Sequence, residues 1–232
     1  MNLSTSNKNL SVFIPFYNEK LKLAETVEVV SAVLQEHCDK FEVILIDDGS
    51  HDGSQAIADD LCRKIPATRV VHLSENTGFG KAYLTGLRSA HYAHALYLTA
   101  DGDVHRDELA MILRTWDGRR SLLQHPQNPR DRNYGRFLLS KAFTFLVNLI
   151  TGRREPYYNG YNIYDLAEIS RVQTDFGFCT QAYALLCLVP RDCDPIRLTT
   201  VSRYNDAESK ALTFKNVLQV FRFLVYILGH KI

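Results

Sequence analysis

The stretch Val43-Ile44-Leu45-Ile46-Asp47-Asp48-Gly49-Ser50-His51-Asp52-Gly53-Ser54 decides the fold. It opens as a short apolar run of the strand type and stops abruptly in acidic and glycine-rich turns, after which 54–64 carry helical periodicity. A strand feeding a polar loop that opens a helix is part of a βαβ unit. The same rhythm repeats on both sides. Val12-Phe13-Ile14 reads as a strand, followed by a helix with Leu23, Val27, Val30 and Leu34 on one face; 69–73 and 95–99 read as strands, with a helix over 80–92 between them. Four strands joined by three crossovers predict an α/β fold with a mainly parallel sheet flanked by helices. Past Asp107 the rhythm loosens into a helix over 108–116, a strand over 121–124, a loop rich in Pro, Asn and Arg, and three long helical patterns. With no repeat and no linker, 1–232 read as a single domain.

Composition removes whole classes. A chain of 232 residues that is 46% hydrophobic can bury a full core without staples, which excludes disordered and collagen-like proteins. Lys and Arg number 27 against 26 Asp and Glu, so no global field exists for bulk nucleic-acid binding, and no nucleic-acid partner is expected. Cys38, Cys62, Cys179, Cys187 and Cys193 are odd in number and contain no C-x-x-C pair, which suits a reducing cytosol. Residues 1–9 lack the apolar core of a secretory signal, and no window reaches the roughly 18 unbroken apolar residues of a membrane span. A cytoplasmic protein is expected.

In parallel sheets ligands collect at the carboxyl ends of strands. Here those ends are Pro15-Phe16-Tyr17-Asn18-Glu19, the Asp47–Ser54 loop, Asn76-Thr77-Gly78-Phe79-Gly80-Lys81-Ala82 and Thr99-Ala100-Asp101-Gly102-Asp103. Each alone is also a good turn or helix N-cap. Four on one rim make a pocket. Gly78, Gly80 and Gly86 have the wrong spacing for a dinucleotide fingerprint, and Gly80-Lys81-Ala82 lacks the Ser/Thr and the upstream glycine of a phosphate-binding Walker loop. Asp101 and Asp103, flanking one glycine, can both reach a hard divalent ion, Mg²⁺ or Mn²⁺; the plainer role for Asp103 is to cap the helix that follows. His91 and His94 have no third ligand nearby and read as a surface helix end.

Taken together, the loops resemble the family 2 glycosyltransferases of GT-A fold, particularly the polyprenyl-phosphate, dolichol-phosphate mannose synthase-like branch. Pro15-Phe16-Tyr17-Asn18-Glu19 is similar to that family's P-x-Y-N-E, Val43 to Ser50 to its V-x-x-x-D-D-G-S, and Asn76 to Ala82 to its N-x-G-x-G-x-A. Arg136-Phe137-Leu138-Leu139-Ser140 resembles an R-x-x-x-S helix, Asn159-Gly160 an acceptor-side segment, and Arg203, Ser209, Lys210, Lys215, Asn216 and Val217 a basic ending that approaches the donor diphosphate. The resemblance implies an inverting transferase with a nucleotide-binding half over 1–104 and an acceptor half over 105–232. It implies donor contacts at Pro15, Tyr17, Glu19, Asp47, Asp48, Asn76, Gly78 and Gly80, and a metal on Asp101 and Asp103. Arg136, Arg203 and Lys210 would clamp the diphosphate, and Arg132, Asn159 and Gly160 would face the acceptor. Three positions depart from the pattern: Thr99 and Tyr183 stand where relatives carry carboxylates, and Glu155 is the nearest acid before Gly160.

The acceptor has a second line of argument. On 137–150 the polar residues Ser140, Lys141, Thr144 and Asn148 form a narrow stripe beside a wide apolar face, and Phe214, Val217, Leu218, Phe221, Leu224, Val225 and Leu228 make another near the C-terminus. Such amphipathic faces pack either in a core or on a membrane interface. The second reading places Phe143 and Leu146 on the bilayer, with the protein peripheral on the membrane's inner face and the arginines of 130–136 receiving a lipid phosphate. A lipid phosphate is already anionic and needs little or no general base, whereas a saccharide acceptor would need one. A binding protein that has lost catalysis through Thr99 and Tyr183 is the third reading.

Overall fold

Side chains alternate strictly between two cores along the central strands. In β1 (Asn9–Phe16), Leu10, Val12, Ile14 and Phe16 face one layer and Phe13 the other; in β2 (Lys40–Asp47), Val43 and Leu45 oppose Ile44 and Ile46 in the same way. Strands buried on both faces belong inside a parallel sheet covered by helices. The computed structural model describes residues 7–126, 134–200 and 214–230. Within them β3 (Thr68–His72), β4 (His94–Tyr97), β5 (Leu122–Pro126), β6 (Ile163–Asp165) and β7 (Ile196–Thr200) complete a sheet of order β3-β2-β1-β4-β6-β5-β7. The strands β3, β2, β1 and β4 are mutually parallel, and β6 runs antiparallel to both β4 and β5.

Three helices, α1 (Leu23–His37), α2 (Ser54–Lys64) and α4 (Arg106–Thr115), cover the Leu10–Val12 face. The Phe13 face carries α3 (Phe79–Arg88), α5 (Tyr134–Thr151), α6 (Thr180–Leu188) and α7 (Phe214–Gly229). Leu23, Val27, Val30 and Leu34 of α1 are all fully buried, as their spacing predicts. Truncating one of them to Ala is worth about 2–5 kcal/mol.

The helix expected over 80–92 ends early, at Arg88. Its next backbone donors are captured from the sheet: the His91 N–H donates to buried Glu42 at 2.7 Å and the Tyr92 N–H to Ser11 Oγ at 3.0 Å. The two histidines have separate partners. His91 pairs with Glu42 at 3.0 Å, and His94 opens β4 rather than ending a helix, its Nε2 bonded to the Arg119 carbonyl at 2.8 Å. Strands β6 and β7 were not expected, and α6 is a short, fully buried helix of nine residues.

Candidate active site

Because β1, β2 and β4 run the same way, their carboxyl ends deliver three loops to one edge. Hydrogen bonds lock these loops together. Asn18 takes the left-handed backbone at φ 57°, its N–H donates to Ser50 Oγ at 3.0 Å, and its side-chain oxygen accepts from the His51 N–H at 2.8 Å. Buried Asp48 accepts from the Thr77 N–H at 2.7 Å, the Thr77 hydroxyl at 2.8 Å and the Gly78 N–H at 2.9 Å, which fixes the turn that starts α3. Gly49 is required where these loops cross: its φ is +70°, and a Cβ would lie 2.6 Å from the Glu75 carbonyl carbon.

Asp47 is fully buried and accepts from the Ser50 N–H at 2.9 Å and from His72 Nδ1 at 2.9 Å, while His72 Nε2 lies 3.2 Å from Asp59. A carboxylate at each ring nitrogen asks both nitrogens to donate, which only the imidazolium can do. The hydrogen bond to Asp47 accordingly raises the His72 pKa. Burial alone would push Asp47 up, but the bonds from His72 and Ser50 hold its carboxyl below the usual range.

The open part of the rim is acidic. Burial, then the charges of Asp101 and Asp52, push the Glu19 carboxyl up. Asp101 is exposed and accepts from the Asp103 N–H at 3.2 Å across Gly102. Tyr17 projects at the same edge, 40% exposed, its ring edge-on to His51. The Thr99 hydroxyl, two residues before Asp101, shares a hydrogen bond of 2.9 Å with the Tyr161 hydroxyl.

The Asn159-Gly160 segment reaches this edge through Gln124. The Tyr161 N–H donates to Gln124 Oε1 at 2.9 Å, the Gln124 N–H to Asn162 Oδ1 at 2.9 Å, and Gln181 Nε2 to the Gly160 carbonyl at 2.5 Å. A side chain at position 160 would collide with the Gln124 carbonyl oxygen, 1.9 Å from its Cβ. The Asn159 side-chain oxygen is buried without a hydrogen-bond partner among the described residues.

Of the residues named from sequence, the structure places Tyr17, Glu19, Asp48, Asn76, Gly78, Asp101 and Asp103 on the loops after β1, β2, β3 and β4, with Pro15 and Asp47 at the carboxyl ends of β1 and β2 and Gly80 in the first turn of α3. The carboxylates of Asp47 and Asp48 are turned inward, onto the protein's own donors. Arg136 stands in the first turn of α5. Arg132, Arg203 and Lys210 lie outside the described residues, as do Arg130 and Asp131 of the basic loop. Sequence reasoning missed three residues that shape the rim: Thr77 and His72, which hold the aspartate pair, and Asp175, whose carboxylate packs beside Gly80 and accepts from the Thr180 hydroxyl at 3.1 Å. The signal for Thr77 was present, since it sits inside the Asn76–Ala82 motif.

Residues 11–183 match the family model described as glycosyl transferase family 2, and the chain belongs to that family. It is 30% identical over 196 residues to a polyprenol monophosphomannose synthase of Mycolicibacterium smegmatis, a match covering 73% of this chain and 68% of that protein. It is 32% identical over 160 residues to the human dolichyl-phosphate beta-glucosyltransferase, covering 60% of this chain and 49% of the relative. Among solved structures it superposes on the mannosyltransferase PcManGT from Pyrobaculum calidifontis in complex with GDP-Man and Mn²⁺, with TM-score 0.65, 19% identity, and 94% of this chain and 64% of that one covered. A glucosyl-3-phosphoglycerate synthase from Mycobacterium tuberculosis in complex with Mn²⁺, UDP and glucosyl-3-phosphoglycerate gives TM-score 0.65 at 17% identity, covering 96% of this chain and 80% of that one. These structural likenesses show the GT-A fold.

Proposed function

We propose that the chain transfers a sugar from a nucleotide-diphosphate sugar to a polyprenyl phosphate in one inverting displacement, with 1–104 as donor half and 105–232 as acceptor half of one domain. The observation that carries this reading is the open acidic edge at the ends of β1 and β4: exposed Asp101 accepts from the Asp103 N–H at 3.2 Å across Gly102, and half-buried Glu19 stands on the neighbouring loop after β1. Carboxylates gathered on adjacent loops suit a cation, and carboxylate oxygens are the donors that Mg²⁺ or Mn²⁺ takes. Among the described residues no group of three or more His, Cys, Asp or Glu is placed to hold an ion unaided. Asp101 and Asp103 would therefore share the ion with the donor's own diphosphate. When bound, the metal supplies charge stabilisation to the leaving diphosphate.

The chain's own residues do the rest. Asp47 and Asp48 hold the loops on which Asn76, Gly78 and Gly80 meet the donor, Pro15, Tyr17 and Glu19 border its nucleoside, and Arg136, Arg203 and Lys210 clamp phosphate oxygens through charge-assisted hydrogen bonds. Arg132, Asn159 and Gly160 would face the acceptor. Burial pushes the Tyr161 and Tyr183 phenols far above neutrality, and the Tyr183 hydroxyl donates to the Arg171 carbonyl at 3.1 Å. Neither can act as a general base near pH 7. An acceptor that is already ionised asks for none, which favours a lipid phosphate over a saccharide hydroxyl.

The helices support a lipid acceptor as well. Phe145 and Leu149 of α5 are 64% and 67% exposed, and Phe221 and Leu228 of the neighbouring α7 are 63% and 68% exposed. Large apolar faces on adjacent helices suit a membrane interface. No helix among the described residues is long and apolar enough to cross a membrane, so contact would run along the helix sides, with the protein peripheral on the cytoplasmic face. Phe143 takes no part. Its ring packs inward, 6.0 Å from Phe223 and 6.5 Å from Tyr158, which corrects its expected place on the bilayer.

The test is to incubate the chain with a panel of nucleotide sugars, Mn²⁺ and a polyprenyl phosphate, and to weigh the lipid product by mass spectrometry. One donor should add a single sugar to the lipid phosphate, and chelation should stop it. Transfer to saccharides alone would overturn the acceptor assignment.

A further inference from the structure

At the opposite end of the sheet from the acidic rim lies a cleft of about 530 Å³, lined in part by Arg153, Arg171, Arg191, Tyr183, Tyr226 and His230, with no Asp or Glu among the described residues of its wall. Topology separates it from the donor edge. Strand β6 runs down against β4, so that Asp165 pairs with His94 at the start of β4, and Arg171 closes the 3₁₀ turn that follows. Arg88, at the far end of α3, likewise donates to the Val172 carbonyl at 3.0 Å. Helix α6 begins at Thr180 beside Gly80 and delivers Leu186 and Cys187 to the cleft, about 10 Å lower at 1.5 Å per residue.

Two of the three arginines in this cleft, Arg153 and Arg191, have no ion-pair partner among the described residues. Arg153 is buried and donates to the Val189 carbonyl at 2.5 Å and the Leu186 carbonyl at 2.9 Å, capping α6, while its Nε has no partner among the described residues. Burial lowers its pKa, and the nearby Arg191 lowers it further. Arg191 lays its guanidinium over Gly152, 3.6 Å from where a Cβ would stand, and makes no ion pair among the described residues. Arg171 pairs with Glu168 at 2.8 Å on the exposed side of the cleft. His230 stacks on Tyr226 at 4.1 Å and gives its Nδ1 proton to the Tyr226 carbonyl at 2.9 Å, leaving Nε2 for a ligand. A buried arginine with a spare donor beside an unpaired one is costly unless an anion completes the set.

We infer that this cleft is a second anion site, built for a phosphate group and separate from the donor rim. Guanidinium forks match phosphate oxygens, and Tyr226 and His230 wall the cleft beside them. The group can come from a lipid headgroup or from a free phosphate. The cleft lies where the exposed faces of α5 and α7 end, at Leu149 and Leu228, so both sources can reach it.

Inorganic phosphate is titrated calorimetrically into the full chain, with Mg²⁺ and excess UDP and GDP filling the donor cleft. Wild type should bind, and Arg171→Gln/Arg191→Gln should bind at least roughly tenfold more weakly, as expected for the loss of two charge-assisted partners. Arg191→Gln alone, a change at an exposed and unpaired side chain, guards against a fold defect in the double variant and should show part of the loss. No phosphate binding by wild type, or binding unchanged in both variants, overturns the inference. Vesicles of phosphatidic acid in phosphatidylcholine then decide the source. Weaker sedimentation of the double variant marks a lipid headgroup, whereas unchanged sedimentation alongside lost phosphate binding marks a soluble ligand.

Discussion

The rim at the carboxyl ends of β1 and β2 and the paired helices α5 and α7 handle their side chains in opposite ways. At the rim almost every polar group is consumed internally: Asp48 takes three donors from Thr77 and Gly78, Asp47 takes Ser50 and His72, and Asn18 bridges to Ser50 and His51. On the helices the large apolar side chains of Phe145, Leu149, Phe221 and Leu228 are left uncovered. The rim's hydrogen bonds fix its loops, and Glu19, Asp101 and Tyr17 are the groups that the proposed function gives to a ligand. The helices keep an unsatisfied surface, which only an apolar environment would satisfy. A preorganised polar site beside an exposed apolar face is what joining a water-soluble donor to a lipid acceptor demands.

The sharpest way to break the comparison is at the rim's open acid. Asp101→Asn should lower transfer by about 100-fold or more, through loss of stabilisation of the leaving diphosphate, while the melting temperature stays close to wild type because the side chain is exposed. Wild-type turnover at limiting Mn²⁺ would remove the metal from Asp101. Locking residues should behave differently. Asp48→Ala strands the Thr77 and Gly78 N–H groups, at about 1–3 kcal/mol for each buried donor left unsatisfied, so both the denaturant midpoint and donor affinity should fall. A variant that loses affinity at unchanged stability would mean Asp48 touches the donor directly.

On the helices one turn supplies its own control. Phe143→Ser should cost about 2 kcal/mol or more of folding stability, since its ring sits against Tyr158 and Phe223. Phe145→Ser should stay within about 0.5 kcal/mol, as exposed substitutions do, yet weaken co-sedimentation with anionic liposomes. Equal effects of the two on urea unfolding would return the face to the core.

The smallest effect concerns His72. Its pKa is raised above 6.5 in the folded chain by Asp47 and then Asp59. The charge contribution is therefore present in full below about pH 6.5 and fades as pH rises through the raised value. Asp47, whose pKa is lowered, contributes above the ordinary carboxylate range and fades only in acid. The stability gap between wild type and His72→Gln should thus be widest near pH 5–6 and narrow toward pH 8. A gap that widens with pH would mean the imidazolium is not the bound form.

How much of this was legible in sequence follows from how local each feature is. Strands β1 to β4 and their loops announce themselves because a doubly buried strand is a continuous apolar run and each loop is a contiguous motif. Strand β6 has three residues, too few for a period to show, and it forms because Asp165 and Leu166 find partners on Ser121 and Ala93, far away in the chain. Helix α3 looked longer than it is because nothing near Ser89 says that Glu42 and Ser11 will capture the next N–H groups. The acids of the rim were readable as types, but not the internal bonds that Asp47 makes to His72 and Asp48 to Thr77, which join residues far apart in the chain. Phe143 and Phe145 share one apolar stripe in sequence, and only the position of Phe223 separates the buried ring from the exposed one.

The most direct test of the division between rim and helices compares two acceptors with one catalyst. A long-chain polyprenyl phosphate embedded in vesicles and a short, water-soluble prenyl phosphate are offered to wild type and to Phe145→Ser/Phe221→Ser, with the same donor and Mn²⁺. The variant should keep near wild-type kcat/KM on the soluble acceptor and lose about tenfold or more on the embedded one, because the rim is intact and only the seat on the bilayer is gone. Equal loss on both acceptors, or no loss on either, would contradict the account.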